Sequence, residues 1–102
     1  MLQILKTIFK RKTMDYKALI ARGAIIIDVR SQVEYNTGHI RGSLNVPVDS
    51  IKNRIPDLKQ RGTPIITVCK SGSRSSLATS MLSAAGIEAY NGGPWNSLQT
   101  KL

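Results

Sequence analysis

The sequence predicts an α/β fold, a small parallel sheet with helices on both faces. Short apolar runs rich in β-branched residues, too short for helices, alternate with segments patterned as helices. That alternation is what a parallel sheet with helical crossovers requires. At 102 residues the chain holds one domain, with a single modest core. No internal repeat, low-complexity stretch or linker divides it. The expected organisation is a basic amphipathic segment over 1–12 followed by one domain over 13–102.

Each element has a local cause. Asp15 to Arg22 reads as a short helix with Tyr16, Leu19 and Ile20 apolar, closed by Gly23. Ala24 to Val29 is a continuous β-branched run, suited to a strand buried on both faces. Ser31 and Glu34 form a capping-box pattern, so a short helical turn follows and ends at Gly38. Ser43 to Val46 reads as a second strand, stopped by Pro47. Asp49 is positioned to cap the next helix, whose buried stripe is Ile51, Ile55 and Leu58, and Pro56 is expected to distort or divide it. Gly62, Thr63 and Pro64 form a turn before a third buried strand, Ile65 to Val68. A helix is expected from about Arg74 to Ala85, a strand from Ile87 to Tyr90, a turn at Gly92, Gly93 and Pro94, and a terminal helix from Trp95 to Leu102.

Fifteen Lys and Arg against six Asp and Glu give a formal charge of +9, which favours an anionic partner. Only five aromatic residues accompany that charge, too few for the stacking surface of a typical nucleic-acid binder, so small anions are the expected partners. Lys6, Lys10, Arg11 and Lys12 cluster near the start, while Leu2, Leu5, Ile8 and Phe9 share one helical face. This is expected to be a first helix packed on the domain rather than a membrane-surface anchor. Its charges interrupt and follow the apolar residues, unlike a secretory signal. No apolar run approaches the ~20 residues of a membrane span. One cysteine excludes an internal disulfide and fits a reducing compartment, the cytoplasm.

That cysteine, Cys69, ends a buried strand, and a helix begins within five residues. Ligands of open parallel sheets bind beyond the carboxyl ends of the strands, where this loop lies. The helix terminus supplies unpaired N–H groups and partial positive charge, and the turn at Gly72 directs more N–H groups inward. Lys70 and Arg74 add full charges on either side. Such surroundings draw a thiol from ~8.5 toward 3.5–7.5 and would equally hold an oxyanion or a persulfide anion. The bland alternative is an inert buried thiol.

The stretch IIDVRSQVEYNTGHIRGSLNVP, Ile26 to Pro47, resembles the upstream signature of rhodanese domains: D-V-R, E-Y, G-H-I-x-G and N-x-P. CKSGSRS, Cys69 to Ser75, resembles their active-site loop. GGPWNSL, Gly92 to Leu98, resembles their closing Gly-Gly-Trp segment with Pro94 inserted. The resemblance spans nearly everything after residue 13 and implies a rhodanese-like fold. It also implies a thiosulfate sulfurtransferase-like enzyme: Cys69 takes sulfane sulfur from a small anionic donor and passes it to cyanide, a thiol or an acceptor protein. Lys70, Ser71, Gly72, Ser73, Arg74 and Ser75 would cradle the sulfur, largely through backbone N–H groups, with no cofactor or metal. Lys70 stands where some members carry Arg and cannot grip an oxyanion in a bidentate way, which leaves the donor open.

Asp28 and Arg30 are expected to fix neighbouring loops by pairing, His39 to order the G-H-I turn, and Trp95 to wall the core or pocket. Ser71, Ser73, Ser75 and Ser76 suggest no Ser-His-Asp arrangement. Two alternatives remain. Rhodanese-related phosphatases and arsenate reductases have five residues between Cys and Arg, against four here. A non-turnover persulfide carrier for one protein partner is the other. A monomer is expected.

Overall fold

The computed structural model describes residues 14–102, so the expected amphipathic segment over 1–12, with its packing and its membrane-surface alternative, lies outside the described residues. The described chain runs α1 (Tyr16–Ala21), β1 (Ile25–Asp28), α2 (Gln32–Thr37), β2 (Leu44–Asn45), a 3₁₀ turn (Val48–Ser50), α3 (Ile51–Arg61), β3 (Ile65–Cys69), α4 (Ser73–Ala84), β4 (Ala89–Pro94) and α5 (Trp95–Gln99). The strands form one sheet in the order β2-β1-β3-β4, all parallel.

The two central strands explain both layers. Along β1 and β3 successive side chains point to opposite faces. Ile27, Ile65 and Cys69 face α3 and α4, packing with Ile51, Leu58, Ala78 and Leu82. Ile26, Ile66 and Val68 face the other side, packing with Leu19, Ile40 and Leu98 from α1, the α2–β2 loop and α5. All five residues of β3 are buried. The chain leaves β1 toward β2 on one side, while β3 and β4 lie on the other. The loops after β1 and β3 therefore part at the carboxyl edge and open a crevice between them.

Three local expectations are corrected. Pro56 neither divides nor stops α3, which runs unbroken from Ile51 to Arg61. Pro56 lies on its exposed face, so the missing N–H costs one bond to a carbonyl that water reaches, while Ile51 and Leu58 anchor the helix on both sides. Asp49 does not cap α3: the 3₁₀ turn leads straight into the helix with no side-chain cap, and the Ser50 N–H already donates to the Pro47 carbonyl at 2.8 Å.

The third correction matters most for the site. Gly92, Gly93 and Pro94 are not a turn but belong to β4, an edge strand of the sheet. Thr67 pairs with Asn91 and Val68 with Gly93, so Gly92 is an extra residue, a bulge. An edge strand tolerates Pro94 because the lost N–H is not needed by a further strand. Gly92 allows the close approach: a Cβ there would lie 2.9 Å from Ile66 Cγ2 and 3.0 Å from both the Thr67 carbonyl oxygen and Val68 Cγ1. Gly92→Ala is therefore expected to destabilise the fold by about 1–3 kcal/mol through overpacking, read as a lower urea midpoint at unchanged slope.

Candidate active site

Cys69 is the last residue of β3 and is fully buried. The chain then turns at Gly72, whose φ of +100° suits glycine, and enters the twelve-residue helix α4. Thr67, two residues before the cysteine on β3, clips the helix down by donating its hydroxyl to the Ser75 carbonyl at 3.0 Å. The first turn of α4 is thereby brought over the sulfur. Gly72 N–H donates to Sγ at 3.0 Å, Ser75 N–H reaches it at 3.4 Å, and Ser75 Oγ lies 3.3 Å away. Burial pushes the thiol up. The Ser75 hydroxyl and the backbone N–H groups of Ser75, Gly72 and Ser71 outweigh it, so Cys69 titrates below its ordinary value.

Arg74, expected to add a full charge beside the loop, carries that charge in an ion pair. Its guanidinium makes a fork with Glu34, Nη1 to Oε1 at 2.7 Å and Nη2 to Oε2 at 2.9 Å. Its charge still acts on Cys69 from there, while one N–H of each Nη is taken by Glu34. Glu34 also completes the capping box of α2, accepting from Ser31 N–H at 3.2 Å and from Ser31 Oγ at 3.1 Å. The Arg74 bond first, then the Ser31 N–H, hold the Glu34 carboxyl down at about 2. One carboxylate thus ties the start of α2 to the start of α4. Lys70 makes no ion pair among the described residues.

Asp28 and Arg30 pair with each other rather than with the loop. Arg30 donates from Nε to Oδ1 at 2.9 Å and from Nη2 to Oδ2 at 2.7 Å, and Nη2 also reaches the Gly38 carbonyl at 2.6 Å. The guanidinium lies 4.8 Å from the centre of the Trp95 ring. His39 is exposed, stacks on Tyr35 at 3.7 Å and donates from Nδ1 to the Tyr35 carbonyl at 2.7 Å, so it orders its own turn. A cleft of about 280 Å³ opens beside the loop, lined by Arg30, Glu34, Thr37, Lys70, Trp95 and Asn96. A larger apolar groove of about 490 Å³ includes Ala24 and Ile25 at the start of β1, the opposite end of the sheet from Cys69. Among the described residues no His, Cys, Asp and Glu cluster is suited to a metal ion.

Two residues escaped the sequence reading. Glu34 was legible only as a cap, and nothing in the spacing links it to Arg74. Asn91, on β4, donates to the Gly72 carbonyl at 3.1 Å and accepts from Ser75 Oγ at 2.7 Å. Its only sequence signal is its place before two glycines.

The site is a buried strand-end cysteine beneath a helix N-terminus on a four-stranded parallel sheet, and the rhodanese-like domain family matches residues 13–94. The chain belongs to that family. Its relatives include proteins named as sulfurtransferases. It is 35% identical over 82 residues to thiosulfate sulfurtransferase GlpE of Pseudomonas fluorescens, covering 78% of this chain and 72% of that one. It is 34% identical over 80 residues to a tRNA sulfurtransferase of Thermoplasma acidophilum, covering 78% of this chain but spanning only 16% of that protein's length. The human single-domain sulfurtransferase TSTD1 superposes with a TM-score of 0.69 at 27% identity, over 85% of this chain and 91% of that one.

The depressed Glu34 carboxyl gives a signed prediction. A carboxylate held below its unfolded value of 4.5 stabilises the fold above that pH and loses the contribution as pH falls toward 2. Glu34→Gln should therefore lower Tm at pH 7, and the gap to wild type should close progressively between about pH 4.5 and 2 in parallel melts.

Proposed function

We propose that the chain is a sulfurtransferase that carries sulfane sulfur as a persulfide on Cys69. The observation behind this reading is the convergence of the Gly72 and Ser75 N–H groups on a single buried sulfur at the start of α4. Donors fixed in that position stabilise an anion without reorganising, here the Cys69 thiolate that attacks the donor and departs again when the sulfur is passed on. The loop has four residues between Cys69 and Arg74, one fewer than the related phosphatases and arsenate reductases use, and Arg74 is bound to Glu34, which weighs against tetrahedral oxyanion chemistry.

With thiosulfate, the Cys69 thiolate attacks the outer sulfur. The new S–S bond forms as the old one breaks, and sulfite leaves with the bonding pair. The persulfide anion then presents its terminal sulfur to cyanide or a thiolate. That nucleophile takes the sulfur, and the Cys69 thiolate returns with its electron pair. No base is required once the thiol is ionised. Lys70, on the rim of the cleft, attracts the anionic donor. A small anion as donor, a thiol or protein as acceptor, and a reducing compartment such as the cytoplasm complete the reading. A second reading, a carrier loaded and unloaded by one protein partner, is favoured by the match to a small part of a much longer tRNA sulfurtransferase.

Intact mass after thiosulfate treatment should rise by one sulfur atom and return to the start after cyanide, with Cys69→Ser inert in both steps. An unchanged mass for folded wild type with every small sulfane donor overturns the enzymatic reading, and loading by a protein donor alone would then select the carrier. Lys70→Ala should raise KM for thiosulfate by roughly fivefold at low ionic strength, about 1 kcal/mol, with the deficit shrinking as salt is added.

A further inference from the structure

The side-chain amide of Asn91 cannot turn over. Gly93 N–H donates to its Oδ1 at 2.9 Å, while its Nδ2 donates to the Gly72 carbonyl at 3.1 Å. One backbone partner can only donate and the other can only accept, which fixes each end of the amide. The atom facing Ser75 Oγ at 2.7 Å is therefore Oδ1, an acceptor, and Ser75 must donate to it. A serine hydroxyl has one proton. With that proton committed to Asn91, Ser75 meets Cys69 Sγ at 3.3 Å with lone pairs only, and the thiol's own proton makes that bond. The resting site is a directed chain, S–H to Ser75 and Ser75 to Asn91.

An anionic sulfur cannot donate, and a serine lone pair aimed at it is repulsive. When the thiol proton leaves to solvent, the Ser75 hydroxyl turns and donates to the sulfur, and Asn91 Oδ1 keeps the Gly93 N–H. We propose that Asn91 is a positioning residue for sulfur transfer: it holds the Ser75 proton away from Cys69 while the sulfur is a thiol and yields it when the sulfur becomes anionic. This rests on the persulfide reading for its use in the cycle, although the proton arrangement exists without it. Asn91 thereby sets the pH at which the nucleophile forms. The surrounding charges are Asp28 and Arg30 from β1 and the turn after it, Glu34 from α2, Arg74 from α4 and Lys70 of the loop. Asn91 adds none, and the nearest titratable group on β4, Tyr90, donates to Glu88 instead.

The test is the pH dependence of iodoacetamide alkylation at Cys69, which needs no sulfur donor and so is independent of whether thiosulfate is the substrate. Asn91 is exposed, so water replaces its amide in Asn91→Ala, and water can donate as readily as accept. Freed from a fixed acceptor, Ser75 should turn to the sulfur more easily. The midpoint should fall by roughly half to one unit, a three- to tenfold faster alkylation at pH values below it. In a Ser75→Ala background the same substitution should move nothing. Asn91→Asp, which keeps an acceptor toward Ser75, should leave the midpoint no lower than wild type. A midpoint that stays or rises in Asn91→Ala, an equal shift in both backgrounds, or a fall in Asn91→Asp overturns the proposal.

Discussion

The buried pair of Asp28 and Arg30 is the constraint on which the active edge of the sheet depends. Two charges with at most 4% exposure are costly to desolvate, and only their close match and the remaining hydrogen bonds offset that cost. The bonds made by this pair and by its backbone recruit other pieces of chain. Arg30 takes the Gly38 carbonyl from the loop after α2 and lies over Trp95 of α5, while Asn45 of β2 donates to the carbonyls of both Asp28 and Arg30. The charge therefore does its work by being satisfied. The guanidinium keeps all its partners only when the end of β1, the loop after α2 and Trp95 are held together, and Asn45 fixes β2 to the backbone of the same turn.

On that frame the Cys69 loop needs little of its own. β3 ends inside the core, α4 starts against it, and the sulfur sits where the strand stops and the helix has N–H groups to spare. Full charges play a smaller part at the sulfur than their number in the sequence implies. Arg74 faces Glu34, and backbone and hydroxyl groups supply the direct contacts to Sγ. The backbone N–H groups stay in place when the sulfur gains or loses charge and only the Ser75 hydroxyl turns, whereas a long flexible cation would have to be ordered.

Much of this was legible in the sequence, and the parts that were not share a cause. The β-branched runs around Ile27 and Ile66, the Ser31 and Glu34 cap and the loop at Cys69 are written in neighbouring residues. The Glu34–Arg74 strut joins positions 40 apart, and the Ser75–Asn91 contact joins positions 16 apart across a crossover. Local patterns cannot hold such information. The misreading of Gly92, Gly93 and Pro94 was of another kind: their chemistry does suit a turn, and only an edge position against Ile66 and Val68 makes it suit a strand. Pro56 likewise read as a breaker because its solvent-facing side was not visible.

The bulge at Gly92 also decides the parity with which the chain leaves the strand. In an unbroken strand Tyr90 and Trp95, five positions apart, would point to opposite faces. Both pack on the same face here, with Ile26, Ile66 and Leu98. The extra residue between the partners of Thr67 and Val68 reverses the alternation once, just before the chain leaves the strand for α5. One unpaired glycine acts as a phase shifter: it sends the indole to the layer where Arg30 can lie against it and seals that side of the sheet.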